Sequence, residues 1–274
     1  MLKFSQLKDI TGGNITVSIN RPVVHLITDS RKAIIHEGSV FFAINGTHRD
    51  GHQYIHSLYE AGVRQFVIES ELSVQKFKDA NFLKVDSSVV ALQQIAAQHR
   101  AQFSFPIVGI TGSNGKTIVK EWLYQLLSKE YVIVKNPGSY NSQLGVPLSV
   151  WQIQSHHTLG IFEAGISLPD EMERLEKIIG PTIGIFTNVG TAHDENFKEA
   201  TDKVKEKLKL FKHSTVLICC ADQPLLNQVL QQSSIPLLTW GFSSTAHIRI
   251  SKIDNSYTVL WKNRPFQVTL PFLD

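Results

Sequence analysis

The sequence has two cysteines and they stand side by side, Cys219 and Cys220, at the end of the apolar run STVLICCAD. Neighbouring side chains on a strand point to opposite faces, so neither a structural disulfide nor a cysteine metal site is expected there. No uninterrupted apolar run approaches the roughly 18 residues that a membrane span needs. The amino terminus, MLKFSQLKDITGG, lacks the apolar core and small-residue cleavage site of a secretory signal. A cytoplasmic protein is the natural expectation. Net charge is scarce as well: 27 Lys and Arg against 24 Asp and Glu leave a formal charge of +3, too little to argue for nucleic acid. Anionic small molecules stay open as partners. No repeat and no low-complexity segment interrupts the 274 residues, and 42% hydrophobic with 19% charged is the balance of an ordinary globular chain. That length has room for about two domains.

A glycine is missing where one is usual. The stretch VGITGSNGKTIVKEW, residues 108–122, reads as an apolar strand, a Gly-rich turn and an amphipathic helix. The common phosphate loop has Gly, four residues, then Gly-Lys-Ser/Thr. Counting back from Gly115, the first glycine position holds Ile110.

Residues 1–104 alternate short apolar runs (VVHLITDSR, SVFFAING, RQFVIES, FLKVD) with helical patterns, the last being SVVALQQIAAQHRAQF before a linker-like SFP. From there strand and helix repeat: PIVGITGS with KTIVKEWLYQLLSKE, YVIVKN with SQLGVPLSVWQI, TLGIFEAGI with PDEMERLEKIIG, TIGIFTNVG with TDKVKEKLKLF, and TVLICCAD with PLLNQVLQQS. Apolar strands alternating with helices imply a parallel sheet covered on both faces, in which ligands collect at the carboxyl ends of the strands. The tail from AHIRIS switches to period two, with turns at Asp-Asn-Ser and Lys-Asn-Arg, and predicts antiparallel strands at the sheet edge.

Four segments carry candidate chemistry. Gly112 and Gly115 permit positive φ and close approach to an anion, and the amides opening the following helix face it. Lys116 can neutralise phosphate charge, and the Thr117 hydroxyl is placed to ligate Mg²⁺. The alternative is a Gly-rich turn with a solvated lysine, but strand, turn, Lys-Thr and helix agree. Glu163, ending GIFE, is a hard oxygen ligand for Mg²⁺, or else a helix cap or surface charge. In FTNVGTAHDENF, Asn188 and His193 follow another strand. His193 could ligate a cation, polarise a phosphoryl oxygen, or be satisfied by local hydrogen bonds. Lys203, Lys205, Lys207 and Lys209 circle a helix, so only some face inward; a charge run is usually a solvated face. Their order along successive strands is what gives the four weight.

These residues resemble the Mur ligases, the ATP-dependent amino-acid and peptide ligases of peptidoglycan precursor synthesis. The family's loop, Thr-Gly-[Ser/Thr]-Asn-Gly-Lys-Thr, is matched by Thr111, Gly112, Ser113, Asn114, Gly115, Lys116 and Thr117, and it lacks the distal glycine, which accounts for Ile110. The segment TDSRKAIIHEGSVFFAINGTHRDGHQYIHSLYEAGVRQFVIE is similar to the family's uridine-binding domain. The resemblance implies a small amino-terminal α/β uridine-binding domain (1–104) followed by a mainly parallel, doubly wound ATPase domain (105–274) with antiparallel edge strands.

It also implies ATP and Mg²⁺ as cofactors, with Ile118 and Asn188 joining the loop at the nucleotide. Ser30, Arg31, Asn45 and Thr47, with Asn141 and Ser142, fall at the UDP-sugar peptide. Thr117, Glu163 and His193 fall at Mg²⁺. The family's carbamylated lysine lies four residues before an aromatic, which in KLKLF is Lys207, a second metal ligand in its carbamate form. Lys116, His193 and Lys207 thus take the catalytic roles. The segments SYNSQLGVPLSVW and EAGISLPDEME are similar to members that join D-alanyl-D-alanine to UDP-N-acetylmuramoyl-tripeptide, with Ser142 replacing an Asn and Asp170 a Gly. The wording is nearest to members fused to an alanine racemase. The chain is expected to stop where the family's third domain begins, so that it binds UDP substrate but has little ligase activity alone. A folylpolyglutamate synthetase-like ligase and a non-catalytic nucleotide-binding module are the other readings.

Overall fold

In the computed structural model, which describes residues 2–46, 49–190, 196–197, 199–253 and 256–269, the chain forms two units. The first comprises residues 1–103 together with 143–152, the second 104–142 with 153–274.

In the first unit, period-two alternation buries both faces of one sheet. Strands β1 (Asn14–Thr16), β2 (His25–Ile27), β3 (Ser39–Phe42), β4 (Gln65–Ile68) and β5 (Asn81–Lys84) are ordered β1-β5-β4-β3-β2, with β2 to β5 parallel and β1 antiparallel at the edge. Val40, Phe42, Val67 and Leu83 enter one core with Phe4 and Leu7, while Phe41, Phe66, Ile68 and Phe82 enter another with Ile55 and Leu58. Sheets buried on both sides need such continuous apolar strands. Helices α1 (Leu7–Thr11) and α3 (Ser88–Arg100) border the first core and α2 (Ile55–Glu60) the second. Ser87 caps α3 by accepting a hydrogen bond from the Val90 amide at 3.3 Å, and Leu92, Ile95 and Ala96 turn its apolar face inward.

The segment 143–152, containing α5 (Gly145–Val150), closes the first core. The buried Trp151 indole donates to the Val24 carbonyl at 2.8 Å and lies 4.5 Å from the His99 ring, and the Gln93 amide donates to Gln143 Oε1 at 3.0 Å.

The second unit carries the repeated strand–helix pattern. In chain order its elements are β6 (Ile107–Thr111), α4 (Lys116–Leu127), β7 (Ile133–Lys135), β8 (Leu159–Glu163), α6 (Met172–Ile179), β9 (Ile183–Phe186), α7 (Ala200–Leu208), β10 (Val216–Cys220), α8 (Pro224–Leu230) and β11 (Leu237–Gly241), then β12 (Ile248–Ile253), β13 (Ser256–Trp261) and β14 (Arg264–Thr269). The sheet runs β14-β13-β12-β11-β10-β9-β6-β8-β7, parallel from β12 through β7, with the β12–β13 and β13–β14 pairs antiparallel. The mainly parallel sheet with antiparallel edge strands is therefore as the sequence pattern implies. Val119, Leu123 and Leu127 of α4 recur every four residues and cover Val108 and Ile110 of β6. Ile110, where the common loop has glycine, is a fully buried part of this core.

Strand order then decides where a ligand can sit. β6 lies between β8 and β9, so the chain leaves it in one direction for β7 and β8 and returns on the other side as β9. That reversal opens a crevice beyond the carboxyl ends of β6, β8 and β9. Among the described residues no helix is long and apolar enough to cross a membrane.

Replacing Trp151 with Ala removes a buried aromatic and its indole bond, and we expect a loss of about 3–5 kcal/mol from the first unit. Urea unfolding followed by far-ultraviolet circular dichroism measures it. A loss below about 1 kcal/mol would show that 143–152 is not part of that core.

Candidate active site

Residues 112–115 bridge β6 and α4, and their backbone explains both glycines. Gly115 sits in the left-handed region at φ +80°, immediately before α4. Gly112 has φ +144°, and a Cβ on it would lie 2.0 Å from Thr187 Oγ1. The loop is clamped to the segment after β9: the Ser113 amide donates to the Asn188 carbonyl at 2.9 Å, and the Asn114 amide to Asn188 Oδ1 at 2.8 Å. Thr187 Oγ1 donates to the Asn114 carbonyl at 2.6 Å. Asn188, expected at the nucleotide, thus commits its carbonyl and side-chain oxygen to the loop itself. The first-turn amides of α4, from Lys116 on, have no intrahelical acceptor and make an anion-binding helix end. The Ile118 side chain on that turn is exposed. Lys116 Nζ folds back onto the Gly112 and Ser113 carbonyls at 2.9 and 3.3 Å. Burial pushes the Lys116 amine below the usual lysine range, and the negative charge of Glu163 opposes that.

Glu163 ends β8 with no exposed surface. Its Oε1 accepts from Thr117 Oγ1 at 3.2 Å and from Asn141 Nδ2 at 3.1 Å. Its backbone amide donates to Asn136 Oδ1 at 2.7 Å. Its Oε2 accepts no hydrogen bond among the described residues and lies 3.8 Å from Lys120 Nζ. A buried carboxylate with an unpartnered oxygen beside a threonine hydroxyl is a hard-oxygen donor set, the chemistry that suits Mg²⁺.

From α7 the structure selects two of the four lysines. Lys203 and Lys207, one turn apart, are buried, whereas Lys205 is exposed and Lys209 pairs with Glu206 at 2.6 Å. Lys207 Nζ donates to Ser113 Oγ at 3.1 Å, Ser113 Oγ donates to the Gly190 carbonyl at 3.1 Å, and Lys203 Nζ donates to the same carbonyl. The inward face of α7 is therefore not a solvated charge run. A pocket of about 140 Å³ gathers Gly112, Ser113, Lys116, Asn141, Ser142 and Lys207. His193 lies outside the described residues.

In the first unit, Ser30 and Arg31 form a single turn capped by Asp29, which accepts from the Arg31 amide at 3.1 Å. The exposed Arg31 guanidinium forks onto Asp29 at 2.9 and 2.8 Å and holds that carboxyl down at about 2. Asn45 and Asp50 form an isolated antiparallel bridge, and Asp50 takes the His52 ring at 2.5 Å. Thr47 lies outside the described residues.

A sequence model described as the Mur ligase middle domain matches residues 110–273, and one described as the Mur ligase family catalytic domain matches residues 24–100. The chain belongs to the Mur ligase family. Among relatives, it is 30% identical over 208 residues to the UDP-N-acetylmuramoyl-tripeptide–D-alanyl-D-alanine ligase of Bacillus subtilis, covering 74% of this chain and 45% of the relative. It is 36% identical over 206 residues to the Borreliella burgdorferi ligase of the same name, covering 72% and 44%. The structure of MurF from Acinetobacter baumannii superposes with a TM-score of 0.85 at 23% identity, over 98% of this chain and 60% of that one, a likeness of fold. MurF ligase from Thermotoga maritima in complex with ADP superposes at 0.79 with 27% identity, over 90% and 58%. The chain spans about half the length of these two curated relatives.

Sequence reasoning passed over Lys120, Asn136 and Thr187, which pack around this site, and named Lys203 only as one of four lysines circling a helix. Lys120 had a legible signal, since it stands one helical turn beyond Lys116 and shares its face. Asn136, a polar residue closing the strand VIVK, had another.

Two measurements probe this geometry. Gly112→Ala forces a side chain against Thr187 in a strained backbone region, and a loss of about 1–3 kcal/mol is expected in thermal unfolding. An unchanged melting temperature would contradict the close approach. Asp29 has its folded pKa depressed below the ordinary carboxylate value near 3.8, so its stabilising effect is present above that value and is lost as pH falls toward about 2. Asp29→Asn should therefore lower stability at neutral pH and converge with the parent chain in acid. A stability difference that does not vary with pH would rule out the ion pair as its source.

Proposed function

We propose that this chain carries the UDP-substrate-binding and ATP-binding parts of a cytoplasmic ligase that joins D-alanyl-D-alanine to UDP-N-acetylmuramoyl-tripeptide in peptidoglycan precursor synthesis. The observation that carries the reading is the convergence of the phosphate loop, the Thr117–Glu163 pair and Lys207 on one crevice at the strand reversal. The shared name and sequence likeness of its relatives support the choice of substrates.

In this reading the γ-phosphoryl group of ATP passes to the terminal carboxylate of the UDP-linked tripeptide, leaving ADP and an acyl phosphate. The amine of D-alanyl-D-alanine attacks the acyl carbon, phosphate departs, and the ammonium formed on nitrogen loses a proton to give the amide. The α4 amides and Lys116 offset charge that spreads over the phosphoryl oxygens. Lys116 must first exchange the Gly112 and Ser113 carbonyls for phosphate oxygens, and its desolvated amine strengthens that contact. Thr117 and Glu163 would hold Mg²⁺, and the family resemblance assigns His193 to the same ion. The ion would neutralise developing negative charge. Lys207, held on Ser113, would become an anionic ligand if carbamylated. Asn188 and Thr187 keep the loop rigid, a positioning contribution. Asn141 and Ser142 line the same pocket and are assigned to the UDP-peptide, and Ser30, Arg31, Asn45 and Thr47 would contact the UDP moiety.

Isothermal titration of the chain with ATP and Mg²⁺ tests the reading. Lys116→Ala should weaken ATP by about 10–100-fold, the worth of a charged hydrogen bond of about 1.5–3 kcal/mol. UDP-N-acetylmuramoyl-tripeptide should bind the same chain. No heat with ATP and none with the UDP-peptide would sink the proposal.

A further inference from the structure

Lys120 is the one residue of α4 with a fully buried charge. Burying an ammonium is costly unless it is paired and hydrogen-bonded, and an apolar side chain of similar length would fill the place without that cost. Its partners show what the charge does. Nζ donates to the Gly138 carbonyl, lies 3.5 Å from Glu121 Oε1, and lies 3.8 Å from Glu163 Oε2. Gly138 is the left-handed bend, at φ +50°, of the turn that delivers Asn141. Asn136 supports the same turn by donating to the Tyr140 carbonyl at 2.6 Å.

The two carboxylate oxygens of Glu163 are thus treated differently. Thr117 and Asn141 both donate to Oε1. Lys120 attracts Oε2 from beyond hydrogen-bond distance, so the oxygen is oriented while its lone pairs stay open. By holding the Gly138 turn as well, the same ammonium also sets the height of Asn141. We propose that Lys120 is a positioning residue of the nucleotide site, fixing the Glu163 carboxylate and the Asn141-bearing turn in the arrangement that a phosphate-bound divalent cation requires. This inference rests on the reading of Thr117 and Glu163 as the cation's ligands.

The test is ADP binding by calorimetry, in EDTA and in excess Mg²⁺, for the parent chain, Lys120→Met, Lys120→Gln, Glu163→Gln and the double variant that combines K120M with E163Q. The parent chain should bind ADP more tightly with Mg²⁺. K120M should cut that enhancement about 10-fold or more, as loss of a partner behind a metal ligand does, while affinity in EDTA is unchanged. In the E163Q background K120M should have no further effect, because Lys120 acts through that carboxylate. K120Q, a donor without charge, should reproduce the loss and serves if K120M does not fold. A folded K120M or K120Q that keeps the full Mg²⁺ enhancement overturns the proposal. So does equal weakening with and without Mg²⁺, or failure of both variants to fold, since each assigns Lys120 to stability alone. A parent chain that binds ADP without Mg²⁺ enhancement instead overturns the cation reading, and this inference with it.

Discussion

A carboxylate without exposed surface, Glu163 at the end of β8, is the constraint on which the second unit depends. A buried charge must be surrounded by donors and cations, and those come from more than one element. Thr117 comes from the first turn of α4, Lys120 from its second and Asn141 from the turn after β7, while Asn136, at the end of β7, accepts from the Glu163 backbone amide. Satisfying one side chain thereby sets the distance between three neighbouring segments at the carboxyl ends of the strands. The crevice is shaped by the same contacts that make the buried charge tolerable.

The phosphate loop is held by a second set of contacts, from the opposite side of β6. Asn188 and Thr187, just past β9, take two loop amides and one loop carbonyl. Lys207 and Lys203 of α7 reach the loop and Gly190. A loop braced on both flanks keeps its amides aimed without rearrangement, which is the preorganisation an anion site needs. Ile110 fits the same arrangement: with the loop braced from outside, the position that is glycine in the common loop can be core, under Val119 and Leu123.

Much of this was legible from residue order. Thr111 to Thr117 announced the loop, the apolar runs announced a parallel sheet, and the period-two tail announced its antiparallel edge. Glu163 was readable as a strand-end carboxylate, though nothing local separated a metal ligand from a surface charge. The lysines of α7 were readable as a helix but not as a face, because a residue every two positions gives no amphipathic direction by itself. The role of Asn188 as a loop clamp was also hidden, since a polar residue after a strand does not say whether its partner is a ligand or the protein.

The sequence by itself determined the elements and their chemistry, because period, turn residues and the Lys-Thr junction are local properties of the chain. Only the tertiary structure decided three things. Strand order put β8 and β9 on either side of β6, which brings residues far apart in the chain into contact, as in Thr117 with Glu163 and Asn188 with Ser113. Packing sent 143–152 into the first unit, where Trp151 finds an acceptor at Val24. Burial chose Lys203 and Lys207 over Lys205. Each is a choice among partners distant in sequence, and such choices are made by what the folded core can bury and satisfy, not by any neighbour along the chain.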